Sequence, residues 1–376
     1  MKIVFIQNNG GNYGGVWQVN KLVGEALIKD GYEVSIVFVR DDHLGLKLDY
    51  DKRLEVVTIN SEDVWGSYYG KDFKESLKKF HFIELFKQIN HRLRDNAKLK
   101  KDKQKLNEYL DSYQPDYIVS SQYQVLDLLD KKYLPITFHE QHCSFRESWS
   151  HKGTRETLLK YNNQVKYIWL CKTTLKEANN HGLNNNYCIY NAVRFTTLKR
   201  SCVRKNKKLI CIARLSLEKR FDKMINYIEE IFKDSKYKDW SLEIYGSGDV
   251  EESLKSLITS SQVKLMGRTD KPMEIYLESS INLCTSDFEG FSLSILEASE
   301  CGIPTVTLDF GESCAEQVID GKTGFITKDK ADFIKKLKYL MDNPQELEKM
   351  SINNKEYIEQ FKINNIVKDW EELFKM

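Results

Sequence analysis

Apolar positions along the chain fall into two alternating textures. Short apolar runs read as buried strands: "KIVFIQ", "YEVSIVFV", "LEVVTI", "DYIVSS", "LPITF" and "YIWLC". Between the first two, "VNKLVGEALIKDG" carries helical spacing at Val19, Leu22, Val23, Ala26 and Leu27 and stops at Gly31. After "YNAVRF" comes the basic, apolar-poor stretch "TTLKRSCVRKNKK", and then the alternation restarts. "LICIARL", "WSLEIYGSG", "VKLMG", "INLCTS" and "PTVTL" read as strands; "FDKMINYIEEIF", "DVEESLKSLI", "MEIYLESS" and the stretch from Ser292 to Glu300 read as helices. Gly302 stops the last of these and Pro304 prevents its continuation. Buried strands alternating with helices predict parallel sheets covered on both faces, so the fold class is α/β. Two Rossmann-like halves are expected, 1–195 and 196–357, with a helical tail at about 358–376 ("KDWEELFKM") that crosses back to the first half.

Length and composition narrow the class. A chain of 376 residues suits two domains, and 41% hydrophobic with 30% charged residues is a globular, not a disordered, composition. A net charge of +2 gives no reason to expect nucleic acid. The eight cysteines contain no C-x-x-C pair and several lie in apolar runs, so they read as reduced core thiols of a cytoplasmic protein. The chain opens on a strand-like run, which predicts no signal peptide. No apolar run approaches the roughly 20 residues of a membrane span, so any membrane contact is expected to be peripheral. Residues 71–108 hold twelve Lys or Arg against six Asp or Glu, with Phe80, Ile83, Phe86, Ile89 and Leu93 at helical spacing. An exposed helix with one buried stripe is the favoured reading, because charge runs are usually solvated. A basic amphipathic surface for anionic lipid, at the inner face of the membrane, is the alternative.

Chemistry concentrates in "DFEGFSLSILEASECGIP", Asp287 to Pro304. In an open α/β sheet, ligands bind beyond the carboxyl ends of the strands. Here that edge offers Gly290, which permits close approach to the backbone, and a helix N-terminus with unpaired N–H groups, a phosphate site. Glu289 beside it suits hydroxyls attached to the phosphate, and Glu297 suits a vicinal pair of hydroxyls further in. Phosphate between two hydroxyl-bearing groups describes a nucleoside diphosphate sugar. The plainer reading puts Glu289 on the helix dipole and Glu297 at the surface. Agreement at neighbouring strand ends outweighs it. Arg214 and Lys219 follow one strand and suit a diphosphate leaving group; Gly246 and Gly248 follow another, a weak signal; Arg268 follows a third, within reach of a nucleobase.

These residues carry a family resemblance. "EGFSLSILE" is similar to the E-x7-E motif, and "ARLSLEK" to the R-x4-K element, of retaining glycosyltransferases of the GT-B fold, family 4 (glycosyl transferases group 1). "YGSGDVEESL", "VKLMGRTD", "ASECGIPTVT" and "VIDGKTGFI" follow in order, so residues 205–340 resemble the family strongly. The first half resembles it more loosely, through "GGNYGG", "TFHE", "IWLCKTTLKEANNHGL" and "CIYNAV". Cys171 stands where the family usually has Ser, and Ala192, Val193 and Arg194 stand where Gly-Val-Asp is frequent. The resemblance implies two Rossmann-like domains facing each other across a cleft, the first on the acceptor side. It implies that Arg214 and Lys219 hold the diphosphate, Glu297 the ribose and Glu289 the donor sugar. The backbone at Gly290, Phe291 and Ser292 would assist, and Gly14 and Gly15 would close over the diphosphate. His139, followed by Glu140 where His-Asp is frequent, matches the family's histidine near the donor sugar; His142 is the second choice. The implied reaction moves a hexosyl unit, with retention, from a nucleoside diphosphate sugar, UDP at family level, to a hydroxyl acceptor: a lipid-linked saccharide, a cell-surface glycan polymer, a protein or a small molecule. The basic segment and the lack of a membrane span favour an acceptor of envelope or surface glycan synthesis. No cofactor or metal is implied. Asp49 and Asp51 form an Asp-x-Asp that chance explains in so acidic a chain.

Other classes stay open at this point. A dehydrogenase would need G-x-G-x-x-G in the first strand–helix turn, which "GGNYGGVWQ" fits poorly. A nucleotide-sugar epimerase would need no acceptor groove. A non-catalytic partner or glycan-binding subunit would tend to lose its glutamates or cations, and this chain keeps all four.

Overall fold

The computed structural model describes residues 1–9, 14–40, 50–60 and 82–376. One sheet holds β1 (Lys2–Asn9), β2 (Glu33–Arg40), β3 (Glu55–Asn60), β4 (Tyr117–Ser120), β5 (Thr137–Gln141), β6 (Lys166–Trp169) and β7 (Asn186–Cys188), in the order β3-β2-β1-β4-β5-β6-β7. The other holds β8 (Lys208–Ile212), β9 (Ser241–Tyr245), β10 (Val263–Gly267), β11 (Ile281–Cys284), β12 (Thr305–Leu308) and β13 (Gly324–Thr327), in the order β10-β9-β8-β11-β12-β13. Neighbours pair in parallel from β3 through β5 and throughout the second sheet. All of β2 after Glu33 is buried, and so is all of β11 and β12, as strands covered on both faces must be.

The second core shows how periodicity becomes packing. The helix Phe221–Phe232 buries Phe221, Met224, Ile225, Ile228, Ile231 and Phe232, the three-and-four spacing read in the sequence. Each such side chain contributes about 1.5–3 kcal/mol on burial. The tail is helical over Ile363–Phe374 and buries Trp370 and Phe374.

Three expectations shift. "LPITF" is not one strand: Leu134 and Pro135 lie in the 3-10 turn Lys131–Ile136, and β5 begins at Thr137. Proline has no N–H for a ladder, so pairing starts after it, and His139 lies inside the strand rather than beyond it. The "DVEESLKSLI" helix covers only Glu251–Lys255. Strands β7 and β13, of three and four residues, escape periodicity because they are too short to display one.

Two compact units result. One comprises residues 1–140, 152–168 and 183–186; the other comprises 141–151, 169–182 and 187–376. The segments that follow β5 and β6 therefore belong to the second unit. Residues 71–81 of the basic segment lie outside the described residues; Ile83, Phe86, Ile89 and Leu93 fall in the helix Phe82–Tyr113, with their side chains outside the description. Among the described residues, no helix is long and apolar enough to cross a membrane.

Candidate active site

The strand order of the second sheet reverses between β8 and β11, the switch point where open α/β sheets bind ligands. Parallel pairing, Ile281 with Leu209 and Asn282 with Ile210, sends the chain after both strands to the same edge. The loop after β8 is held from below by "GSG". Ala213 and Leu215 donate their N–H groups to the carbonyls of Tyr245 and Ser247, both at 3.0 Å. A Cβ on Gly246 would sit 1.9 Å from the Ala213 oxygen, and one on Gly248 would sit 2.1 Å from the Leu215 oxygen. These glycines admit the neighbouring loop, so their first duty is packing.

The loop then tightens into the turn Leu217–Lys219 and passes through Arg220 at φ 50°, a left-handed conformation uncommon for a side-chain-bearing residue. The segment after β11 secures it. Thr285 Oγ1 donates to the carbonyls of Lys219 and Arg220 at 3.1 and 3.0 Å. The Asp287 N–H donates to the Glu218 carbonyl at 2.8 Å, and the Asp287 carboxylate accepts from Arg220 and Lys223 at 3.1 and 2.9 Å. Pinned in this way, Lys219 Nζ stands 2.7 Å from both oxygens of Glu289, and Ser286 Oγ donates to the same carboxylate at 2.6 Å. Burial works to lower the Lys219 pKa, but the Glu289 charge outweighs it and holds the ammonium above the usual lysine value.

Glu289 leads into the helix Leu293–Glu300, whose N-cap is Ser292. The first-turn N–H groups of such a helix have no partner within it. The Ser292 amide is engaged by Gln317 Oε1 at 2.8 Å, and Gln317 Nε2 returns a bond to the Ser292 carbonyl at 2.8 Å. Phe291 points its ring into a core with Tyr190 and Phe361, centroids 5.3 and 5.4 Å away. The close approach that Gly290 permits is taken up by backbone: a Cβ there would lie 1.9 Å from the carbonyl oxygen of His142. A carbonyl cannot rotate aside as a flexible side chain can. Gly290→Ala is therefore expected to cost about 1–3 kcal/mol through overpacking, read as a lower melting temperature with reduced activity. An unchanged melting temperature would show that the 142–143 backbone yields freely.

One turn into the helix, Glu297 is 1% exposed, so it is not a surface residue. Its Oε1 accepts from Arg194 Nε. Burial raises the Glu297 carboxyl pKa above its ordinary range, and the guanidinium opposes that rise.

The remaining expected residues are scattered differently. Arg214 is exposed and bonds Glu218 at 3.1 Å. Arg268 Nε donates to Ser247 Oγ at 2.6 Å, so the ends of β10 and β9 do meet. Gly14 caps the helix Gly15–Lys29 after β1. His139 is fully buried, 2.9 Å from Ser120 Oγ, whereas His142 is half-buried with its backbone against Gly290. Asp51 is bound by Arg53 at 2.7 Å, which lowers its pKa to about 2, and Asp49 lies outside the described residues. No three His, Cys, Asp or Glu side chains among the described residues cluster as a metal would require.

Sequence reading missed the parts played by Arg194, Ser286, Gln317 and Glu316. Glu316 accepts from the Lys172 and Thr173 amides at 3.1 and 2.8 Å, supplementing Cys171, whose sulfur caps the same helix from 3.4 Å. A thiol is a weak acceptor, but with Glu316 on its first two amides the helix Lys172–Asn180 is capped although Cys171 replaces the usual Ser. Only Arg194 carried a signal: its departure from the family pattern.

With the edge assembled, comparison with known proteins is direct. Residues 196–357 match the family of glycosyl transferases group 1. Across 98% of both chains, the protein is 25% identical to an uncharacterized glycosyltransferase of Haemophilus influenzae. Among solved structures, a variant of S. aureus TarM in complex with UDP, α-GlcNAc-glycerol and fondaparinux superposes with a TM-score of 0.76 at 16% identity, covering 100% of each chain. The pneumococcal O-GlcNAc transferase GtfA in complex with UDP and GlcNAc gives 0.75 at 13% identity, over 100% of this chain and 98% of its own. The fold is thus the GT-B fold, two Rossmann-like α/β domains, and residues 196–357 are similar to the glycosyl transferases group 1.

Proposed function

We propose that the protein is a retaining, family 4 glycosyltransferase that moves a hexosyl unit from a UDP-sugar to a hydroxyl acceptor in envelope or surface glycan synthesis. The observation that carries this reading is the Lys219–Glu289 pair at the β8/β11 switch point, beside the N-terminus of the Leu293–Glu300 helix. The relatives bound to UDP support the choice of nucleotide. In the proposed reaction, the bond between the anomeric carbon and the diphosphate oxygen breaks on the face where the acceptor oxygen bonds. UDP leaves with the electron pair, and its phosphate oxygen takes the acceptor proton. Lys219, the helix amides and Arg214 stabilise the growing diphosphate charge. Glu289 contacts the sugar and Glu297 the ribose. Of the two histidines, we favour His142 for the sugar end, because its backbone lies against Gly290, next to Glu289. Residues 1–195 would supply the acceptor side and 196–357 the donor side, with Gly14 and Gly15 of the first half closing over the diphosphate. The reaction would run in the cytoplasm, where thiols stay reduced.

The test is release of nucleoside diphosphate from a panel of UDP-, GDP- and ADP-sugars by the purified protein, with and without EDTA. Release from a UDP-sugar that persists in EDTA is expected. Release from none, with or without acceptor glycans, would leave a glycan-binding partner; loss in EDTA restored by Mn²⁺ would overturn metal independence.

A further inference from the structure

The segment after β7 is fastened along the Leu293–Glu300 helix at regular intervals. Asn191 Nδ2 donates to the Phe291 carbonyl at 3.1 Å, Arg194 bonds Glu297, and the Thr197 N–H donates to Glu300 Oε1 at 2.7 Å. Lys355 closes the series, donating to the carbonyls of Thr197 and Glu300 at 2.6 and 2.7 Å. Every third residue of the strap is a fastening, and Arg194 is the middle one. A carboxylate at that position would set two like charges together in a buried place; a guanidinium does the reverse.

We infer that Arg194 is a positioning residue for nucleotide binding: it fixes the Glu297 carboxylate in place and in charge for the ribose hydroxyls. The inference rests on the proposed reading that Glu297 takes the ribose. Two other groups are electrostatically coupled to Glu297, the Tyr276 hydroxyl from the helix Pro272–Leu277 and the Cys301 thiol at the end of its own helix. Burial pushes the Cys301 thiol up to about 12 and the Tyr276 hydroxyl well above its usual value, so both stay neutral at working pH. The charge opposing Glu297 therefore comes from Arg194. A carboxylate has about four acceptor positions, so the Arg194 bond still leaves capacity for hydroxyls. Without Arg194, burial acts unopposed, and as pH falls the carboxyl takes up a proton and loses acceptor capacity.

The experiment is calorimetric affinity for UDP and for 2′,3′-dideoxy-UDP, from about pH 8.5 to about pH 6. It compares wild type, Arg194→Met, Arg194→Lys, Glu297→Gln and the Arg194→Met/Glu297→Gln double variant. Wild type should prefer UDP by about tenfold or more, and that preference, in which titration of the terminal phosphate common to both nucleotides cancels, should be flat with pH. Arg194→Met should lose most of the preference, and more of it toward acid pH. Arg194→Lys, which restores charge without the Nε geometry, should keep the flat profile and part of the preference. In the Glu297→Gln background, removing Arg194 should cost no further preference. A wild type that does not distinguish the two nucleotides would sink the ribose reading and this inference with it. A wild type that distinguishes them, beside an Arg194→Met protein with full preference at every pH, would sink this inference alone. Should Arg194→Met not fold, full wild-type preference in Arg194→Lys would overturn it.

Discussion

Lys219→Ala is expected to lower turnover by about a hundredfold or more, the usual cost of losing one preorganised donor to a developing charge. Three features make this the most damaging single change in the site. Lys219 stands at the switch point of the sheet, its position is set by the Thr285 and Asp287 bonds to its own loop, and it neutralises Glu289. Truncation removes the cation and leaves the Glu289 carboxylate, 11% exposed, as a bare negative charge where a diphosphate would develop its own. The variant should therefore bind UDP more weakly as well as turn over more slowly. Lys219 keeps some solvent contact, so the loss of stability should be smaller than the roughly 3–5 kcal/mol of a fully buried broken pair. Steady-state rates beside thermal unfolding check both parts; a folded variant with near-normal turnover would remove Lys219 from the machinery.

The two glutamates should separate by what they do to binding and to rate. In the proposed reaction Glu297 meets the ribose, a group that does not change, so in Glu297→Gln UDP and donor should weaken together by about tenfold with little further loss of kcat. In the same proposal Glu289 meets the sugar, where geometry and charge change, so kcat of Glu289→Gln should fall by about a hundredfold. Its effect on UDP should have the opposite sign: with Glu289 neutral, Lys219 is released from its ion pair and can give its whole charge to the diphosphate. UDP affinity should be unchanged or tighter. Calorimetry on both variants beside kcat and KM decides the assignment. Weakened UDP in Glu289→Gln with normal UDP in Glu297→Gln would reverse it, and unchanged rates in both would make the carboxylates structural.

The fold was legible because its determinants are local. Short apolar runs mark β8 to β12, and the helix Phe221–Phe232 begins and ends where its periodicity does. The candidate site was legible as a set of strand ends, since the chain after β8 and after β11 must reach the same edge once those strands pair in parallel. Which charges meet across that edge was not legible. Lys219 and Glu289 are 70 residues apart and Arg194 and Glu297 are 103 apart. No periodicity records such partners. The glycines misled in a different way. Gly246, Gly248 and Gly290 do mark close backbone approach, but the approaching backbone is the protein's own, and sequence alone does not distinguish that from a ligand.

The second unit is assembled from three stretches of chain, with consequences for the order in which it is made. On the ribosome, His142 emerges 148 residues before Gly290, the residue whose missing side chain gives it room. Residues 141–151 and 169–182 must therefore persist without their final neighbours until most of the remaining polypeptide has been synthesised. Joining them closes long loops, a slow step compared with helix formation. The neighbourhood of Gly290 and the first turn of the Leu293–Glu300 helix would be among the last parts of a nascent chain to settle. The competence of each new molecule would then be decided at the end of its maturation, not at the start.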